Sequence, residues 1–457
     1  MTGKEELGTM IDQALKIASA EGEAIVQGRN VLEHQIRISN SEIDIFKQWE
    51  YTVLEVFVAI EGRIGTTEIF NPSPKVITKE IGHLKKFVKS LQPTPLFQGL
   101  QEDIKPPTKV ETLYDKRIRD FPDQAPDVVM AALNAAQKSG AKRTAGSFFF
   151  DETHVMLKTS QGFSGAFPES SYRITLRSFV DPESSGQGIA VGRTLGNVER
   201  TITYAGKESG EIASLAVDGK QGKAGKYDLV LHPTVAASIL GELAGSANPL
   251  LFLMGMSPLK DKLGEKIGPD LLQIWDDGRM PNGLGSAPFD FEGTPTQRSS
   301  IITNGKLEGL VHNASTARMQ QTKSTGNCQL VKFSLGTKLV VPAPTNIVFS
   351  KGDASFEELL EPQRPTIYVT SNWYLRYTSQ LEGTFSTIPR DGMFLIKNGE
   401  IGQPVQKLRI ADNLLRMLAN VEAMGKEPRQ VRWWEVDTPT FIPFVRIKDV
   451  PMTAATQ

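Results

Sequence analysis

The residue with the clearest capacity for metal chemistry is His232, which ends a strand-like run at residues 227–231 and precedes a helical run. A catalytic zinc ion needs about three protein ligands and a nearby carboxylate that acts as general base. The residues after His232 provide neither, because position 233 is Pro and position 237 is Ala. The segment favours a histidine that is hydrogen-bonded locally at a strand end over a relic metal ligand.

A second candidate site is a group of carboxylates: Asp276, Asp277, Asp290 and Glu292. Oxygen ligands of this kind could hold a hard cation. Gly278 directly follows Asp276-Asp277, and Gly293 directly follows Glu292. Asp and Gly are typical of turns, where they satisfy backbone geometry. The turn interpretation is therefore favoured over the cation site.

Other side chains leave alternatives open. The pairs Trp433-Trp434 and Trp373-Tyr374 could grip a peptide, although such aromatic residues more often form core or dimer contacts. Cys328 could be a reactive thiol, but a buried, small apolar residue is the favoured interpretation. No Gly-x-Ser-x-Gly nucleophile elbow occurs in the sequence.

The composition excludes several classes of protein. The chain has 457 residues, of which 39% are apolar and 23% charged, as expected of a globular protein with two or three domains. Its net charge of −1 gives no basic footprint for nucleic acid. A single Cys fits a reducing compartment, and neither a signal peptide nor a membrane-spanning stretch is recognisable. We expect a cytoplasmic protein without membrane or nucleic-acid partners.

The hydrophobic patterns of the first half predict two units, each a helix followed by antiparallel strands, at about residues 1–105 and 106–222. Helices are predicted over 7–20, 77–91, 126–138 and 197–216, and strands over 34–39, 42–47, 53–60, 144–151, 153–159 and 172–180. Gly206 and Gly210 weaken the last helix. Four prolines between residues 92 and 108 indicate a long connection.

The second half, residues 223–457, is predicted to be a mostly antiparallel β domain with a few helices. Hairpins are expected at Asn304-Gly305 and Asn398-Gly399, because both residues of an Asn-Gly pair accept the positive φ of a type I′ turn. A late helix is predicted over residues 412–424, ending at Gly425. The expected fold class of the whole chain is α+β.

A series of short motifs recurs in order along this second half: Asp261-Lys262-Leu263-Gly264-Glu265, Asp276-Asp277-Gly278, residues 283–296 (Gly-Leu-Gly-Ser-Ala-Pro-Phe-Asp-Phe-Glu-Gly-Thr-Pro-Thr), Ser324-Thr325-Gly326-Asn327 and residues 410–415. Together they resemble the TldD/PmbA family, also called TldD/TldE. The Lys-Leu-Gly-Glu and Gly-Leu-Gly-Ser sequences resemble its PmbA (TldE) side.

The resemblance implies a division of labour. TldD-type subunits are zinc peptidases with a His-Glu-x-x-x-His motif and a third ligand, a Cys near the C-terminus. TldE-type subunits lack these ligands and act as structural and substrate-holding partners in a dimer that encloses a cavity. In this chain Pro233 replaces the Glu, Ala237 replaces the second His, and residues 425–457 contain no Cys.

The spacing of that motif also has a geometric consequence. Two residues five positions apart lie roughly 140° apart around a regular helix, so a metal-binding version needs a local irregularity such as a π-bulge. With Ala at position 237, no ligand remains to require one. A regular helix packed against the sheet is therefore predicted after His232.

The resemblance thus implies a PmbA/TldE-like, non-catalytic subunit that helps to enclose and hold extended peptides for proteolysis. The expected partner is a second copy of the chain, a TldD-type zinc peptidase subunit, or both, and zinc is expected only in the TldD-type partner. The alternative is an independent metallopeptidase that binds its metal unconventionally, through His232 and carboxylates. Modulation of DNA gyrase is disfavoured because the net charge is close to zero.

Overall fold

The computed structural model describes residues 3–332, 338–361 and 364–454. One antiparallel sheet in the order β3-β2-β1-β4-β5-β6 organises the N-terminal region. Its strands are β1 (Glu23–Ser39), β2 (Glu42–Ile60), β3 (Arg63–Phe70), β4 (Arg143–Thr159), β5 (Ser164–Phe179) and β6 (Ser185–Gly192). The helices are α1 (Lys4–Ala18), α2 (Pro74–Ser90), α3 (Ala125–Lys138) and α4 (Val198–Leu215).

The two predicted units share this sheet. Each contributes three consecutive antiparallel strands between two helices, and the long pairing of β1 with β4 joins the halves. Two predicted strand breaks are wrong, since residues 42–60 form the single strand β2 and residues 143–159 the single strand β4. The polar residues at the predicted breaks also pair with the neighbouring strand, because the hydrogen bonds of a sheet join backbone groups and do not require apolar side chains.

Close packing explains the glycines of α4. A Cβ atom on Gly206 would lie 2.1 Å from the Ala132 carbonyl oxygen of α3, and one on Gly188 of β6 would lie 1.9 Å from the Ala205 carbonyl oxygen. The backbone of α4 therefore packs directly against the backbones of α3 and β6, with no room for a side chain between them. The glycines that weaken the helix by propensity allow it to pack between α3 and the sheet.

Replacing Gly206 with Ala is expected to lower the free energy of unfolding by about 1–3 kcal/mol, because α3 and α4 must separate. The matched control is Gly82→Ala in the middle of α2, where an added Cβ meets no atom within 4 Å. There the better helix propensity of Ala should stabilise the protein by about 0.5–1 kcal/mol. Urea denaturation of the two variants measures the contrast, and equal effects would contradict the packing argument.

The C-terminal region contains two larger sheets and a hairpin. Its strands are β7 (Lys220–Gln221), β8 (Gly225–Leu231), β9 (Ile274–Asp277), β10 (Arg298–Thr303), β11 (Lys306–Leu307), β12 (Cys328–Lys332), β13 (Lys338–Pro342), β14 (Ile347–Phe349), β15 (Thr366–Ser379), β16 (Thr384–Lys397), β17 (Glu400–Gln406), β18 (Leu408–Asn413), β19 (Val421–Met424), β20 (Arg429–Trp433), β21 (Val436–Ile442) and β22 (Val445–Ala454). One sheet has the order β11-β10-β9-β14-β21-β20. In the other, β15, β8, β22, β18 and β16 close a ring, because β15 also pairs with β16.

The predicted α+β class is confirmed. Most strand pairs are antiparallel, and both Asn-Gly hairpins form with positive φ at each turn residue. The predicted helix over 412–424 is wrong in extent: α10 spans only Leu414–Ala419. The side chain of Asn413 caps its first turn. The preceding residues of the predicted helix belong to β18, and residues 421–424 form β19.

The helical segment after His232 is not regular. The helix α5 (Pro233–Ala236) runs into a π-helical turn at Ala237–Gly241, which continues into α6 (Glu242–Gly245). The prediction of a regular helix is therefore wrong. This segment is buried between the strand ring and β21, and packing on both sides selects the wider turn, which local sequence spacing does not encode.

The remaining helices are short: α7 (Pro249–Leu253), α8 (Ala314–Met319) and α9 (Phe356–Leu360). Among the described residues, no helix is both long and apolar enough to cross a membrane.

Candidate functional site

His232 lies at the junction of β8 and α5 and is almost fully buried. Its Nδ1 atom accepts a hydrogen bond from the backbone N–H of Thr234 at 3.2 Å, so the ring caps the helix that follows. This local bond is the one predicted from the sequence. It leaves the ring proton on Nε2, which faces the Glu208 Oε1 atom at 3.4 Å.

Three residues that the sequence did not single out complete this cluster. Arg429 of β20 donates from Nη1 to Glu208 Oε1 at 2.6 Å and from Nη2 to the Tyr204 hydroxyl at 2.8 Å. The Tyr204 hydroxyl in turn lies 3.2 Å from Glu208 Oε1. Tyr204 and Glu208 come from α4, so the cluster joins the N-terminal region to β8 and β20.

The charges of the cluster are mutually compensated. Burial acts to raise the pKa of Glu208, but His232 and Arg429 outweigh it and lower that pKa to about 2. Burial also lowers the pKa of His232 against the opposing effect of Glu208. The ring is therefore neutral at pH 7, and Glu208 is a buried carboxylate whose counter-charge is the Arg429 guanidinium.

This donor set does not fit a zinc ion. The Arg429 Nη1 atom lies 3.3 Å from His232 Nε2, so a positive charge already occupies the space beside the one imidazole. Ala237 contributes a methyl group, and Glu208 is engaged by the guanidinium. In the part of the chain that the structure describes, no group of three or more His, Cys, Asp or Glu side chains could hold a metal ion.

The predicted carboxylate group is divided between two places. Asp276 is fully buried and accepts hydrogen bonds from Asn327 Nδ2 and from the backbone N–H groups of Thr345 and Asn346, while Asp277 accepts from the N–H of Arg279. Both carboxylates thus organise loops around β9. Burial raises the pKa of Asp276 to about 6, although these donors oppose the rise.

Asp290 and Glu292 form a second, buried pair. Asp290 accepts from the N–H groups of Glu292, Thr294 and Cys328, and Glu292 accepts from the N–H of Ala314 at the start of α8. Burial raises the pKa of Asp290 to about 7 and that of Glu292 to about 8, and in Glu292 the charge of Asp290 adds to the rise. Cys328 beside them is fully buried, as predicted, and burial raises the pKa of its thiol.

The motif Gly283-Leu284-Gly285-Ser286 also has a structural role. The buried guanidinium of Arg193, which follows β6, donates to the carbonyl oxygens of Gly283, Leu284 and Ser286. A Cβ atom on Gly285 would lie 1.9 Å from the Thr345 carbonyl oxygen. The loop is thus held closely between the two regions of the chain.

A cleft of about 520 Å³ opens beside the π turn, and we call it the π-turn cleft. The residues that line it include Ala237, Ser238, Gly241, Glu242, Val331, Val341, Pro342, Ile347, Arg376, Tyr377, Trp434, Glu435, Val436 and Asp437. Its walls combine polar and apolar residues, and three carboxylates, Glu242, Glu435 and Asp437, lie among them. The aromatic pairs singled out in the sequence contact each other beside this cleft: Trp434 lines it, and the Trp434 ring contacts those of Trp373 and Tyr374.

Comparison with known proteins decides the family. The family model for the PmbA/TldA metallopeptidase C-terminal domain matches residues 224–454, which is half of the chain. The chain belongs to the PmbA/TldD family. Among curated relatives, a metalloprotease of Methanothermobacter thermautotrophicus is 28% identical over 312 residues, 66% of each chain, and the metalloprotease PmbA of Escherichia coli O157:H7 is 25% identical over 399 residues, 82% of this chain and 81% of that one.

Solved structures share the fold of this PmbA/TldD family member. TldE from Thermococcus kodakarensis is 18% identical with a TM-score of 0.83, and covers 98% of this chain and 99% of its own. A proposed modulator of a DNA gyrase from Thermotoga maritima is 24% identical with a TM-score of 0.80. The match covers 98% of this chain and 100% of that protein. The matches to the first curated relatives span between about two fifths and two thirds of the length of those proteins.

Proposed function

We propose that this PmbA/TldD family member is the non-catalytic, TldE-like subunit of a TldD-type metallopeptidase, and that it helps to enclose and hold extended peptides for hydrolysis. The observation that carries the proposal is the Arg429 guanidinium beside His232. A fixed positive charge 3.3 Å from the one imidazole repels a divalent cation and also neutralises Glu208. Zinc and the catalytic base would then come from the partner subunit.

The comparisons support this proposal at the level of family and fold. Relatives of this chain carry the name metalloprotease, and its fold is that of a protein named TldE. We place the subunit in the cytoplasm, in a dimer with a TldD-type chain or with a second copy. The single Cys, Cys328, agrees with a reducing compartment.

The alternative, a metallopeptidase with an unconventional metal site, would have to use His232 together with carboxylates. The observations favour the subunit role, because Asp276 and Asp290 each accept at least three hydrogen bonds and Glu208 is paired with Arg429. A role as DNA gyrase modulator is the least supported, since a net charge of −1 provides no attraction for DNA.

The test is to purify the chain alone and together with a TldD-type chain that carries an intact His-Glu-x-x-x-His motif. Alone, it should contain less than about 0.1 zinc per chain and hydrolyse no peptide. The pair should contain about one zinc and hydrolyse peptides in a chelator-sensitive way. His232→Ala in this chain should leave the zinc content of the pair unchanged. Replacing the motif Glu of the partner with Gln should abolish hydrolysis.

The opposite result is equally clear. Stoichiometric zinc in the isolated chain that is lost on His232→Ala, but retained in the control His83→Ala, would establish the alternative. His83 is a suitable control because it is an exposed histidine on α2, away from the cluster. Circular dichroism of each variant ensures that only folded protein is compared.

A further inference from the structure

The π-turn cleft has a strand edge available for pairing. β15 pairs with β8 over residues 366–369 and with β16 along its length, so among the described residues its second half has no strand on the other side. Arg376 and Tyr377 of this half line the cleft. The Glu435 carboxylate accepts the backbone N–H groups of Tyr374 and Leu375, at 2.5 and 3.3 Å, so these two amides are occupied. An extended peptide could pair with the edge beyond them, over residues 376–379.

The charge in the cleft is unbalanced. Glu242, Glu435 and Asp437 line it, and neither Glu242 nor Asp437 forms an ion pair within the described residues. Among the described residues, Arg376 is the one basic side chain of the lining, and its guanidinium is engaged: it donates to the Leu375 carbonyl oxygen and lies 5.2 Å from the centre of the Tyr374 ring.

The carboxylates also influence one another. The pKa of Glu242 is raised by desolvation within the cleft and, in addition, by the charges of Asp437 and Glu435, although the residue is exposed at the surface. The Tyr377 hydroxyl, at 3.2 Å from Glu242, is its hydrogen-bond partner but supplies no charge. A cation that entered the cleft would relieve this repulsion, whereas an anion would increase it.

Apolar and aromatic surface lies beside these carboxylates. Trp434 is half exposed, and the partly exposed side chains of Leu251 and Val331 also line the cleft. A Lys or Arg side chain fits such a surface, because its aliphatic stem packs on apolar groups and its charged end can interact with an aromatic ring.

We propose that the π-turn cleft binds an extended peptide segment through the free edge of β15 and places a basic side chain of that peptide between Glu242 and Asp437. The proposal deepens the proposed function, on which it rests for the peptide as ligand. It assigns to this subunit a preference for substrates that contain Lys or Arg.

The experiment measures fluorescence anisotropy of two labelled ten-residue peptides, with blocked ends, that differ only in a central Lys or norleucine. At low salt the Lys peptide should bind the full chain at least about 10-fold more tightly, and about 150 mM salt should reduce the difference. In the double variant Glu242→Gln, Asp437→Asn the ratio of the two affinities should fall to about 1, because both charges are lost and both shapes are kept. The control Glu400→Gln, an exposed carboxylate outside the cleft, should retain the preference.

Equal affinity for the two peptides, or a preference that survives the double variant, would overturn the charge assignment and leave the subunit assignment standing. Absence of binding by either peptide would overturn the cleft as a peptide site. A change of oligomeric state on Trp434→Ala, seen by sedimentation without any effect of peptide, would identify the cleft as a subunit interface and would also overturn the proposal. Zinc content and hydrolysis of the pair test the proposed function independently.

Discussion

Replacing Arg429 with Met is expected to lower the free energy of unfolding by about 2–4 kcal/mol at pH 7, since it leaves a buried charge without its partner. The carboxylate of Glu208 would retain only His232 and the Tyr204 hydroxyl as its hydrogen-bonding neighbours. The side chain of Arg429 is one third exposed, which places the loss below that of a fully buried pair. Urea denaturation measures the change.

The pH dependence provides a second signature of this cluster. The pKa of Glu208 is lowered in the folded state, so its stabilising contribution is present above the unfolded pKa near 4.5 and is lost as the pH falls towards about 2. The stabilities of the wild type and of Arg429→Met should therefore approach each other below pH 4. An equal difference at pH 3 and pH 7 would contradict the ion pair.

Two further variants separate charge from packing. The double variant Glu208→Gln, Arg429→Met removes both charges and should recover most of the lost stability. Arg37→Met is the matched surface control, because Arg37 and Asp44 are both exposed and 3.7 Å apart, and it should change the stability by less than about 0.5 kcal/mol. Failure of the double variant to recover would mean that the guanidinium acts through packing alone.

The second large effect is a gain of stability in Glu292→Gln at alkaline pH. Burial raises the pKa of Glu292 to about 8, so the folded protein prefers the protonated carboxyl group. Its contribution to stability is complete below the unfolded pKa near 4.5 and is lost as the pH rises through about 8. A neutral amide avoids this loss. The variant should be more stable than the wild type by about 2–4 kcal/mol at pH 9 and nearly equal to it at pH 5.

Thermal and urea denaturation at pH 5, 7 and 9 tests this expectation. Asp270→Asn is the control, because Asp270 is exposed and paired with Lys266 on the surface, and it should show little change at any of these pH values. If Glu292→Gln were destabilising at all three pH values, the carboxylate would be serving chiefly as the acceptor for the Ala314 N–H, and its charge would not limit stability.

Features that depend on residues close together in the sequence could be predicted from the sequence alone. The two Asn-Gly hairpins form because the turn is encoded in the dipeptide and the strands on either side alternate. The cap of the helix after His232 is likewise a bond between residues two positions apart. The burial of Cys328 follows from its apolar character.

Other features required knowledge of the packing. The helix predicted over residues 412–424 lost both ends to strands, because pairing with β16 and β22 outweighs the helical preference of those residues. The π turn at Ala237–Gly241 arises where the segment is enclosed by the strand ring and β21. Hydrophobic periodicity reports the local pattern of residues and therefore does not predict long-range packing of this kind.

The same division holds for the candidate site. By itself the sequence determined what is missing, since Pro233 and Ala237 cannot act as base or ligand, and it indicated the family through motifs in order along the chain. Only the tertiary structure decided what surrounds His232: Arg429 lies beside it although 197 positions separate the two residues in the chain. It also placed Glu242 and Asp437 in one cleft. The physical reason is that charges interact through space, and the distances between them are set by the packing of whole sheets and helices.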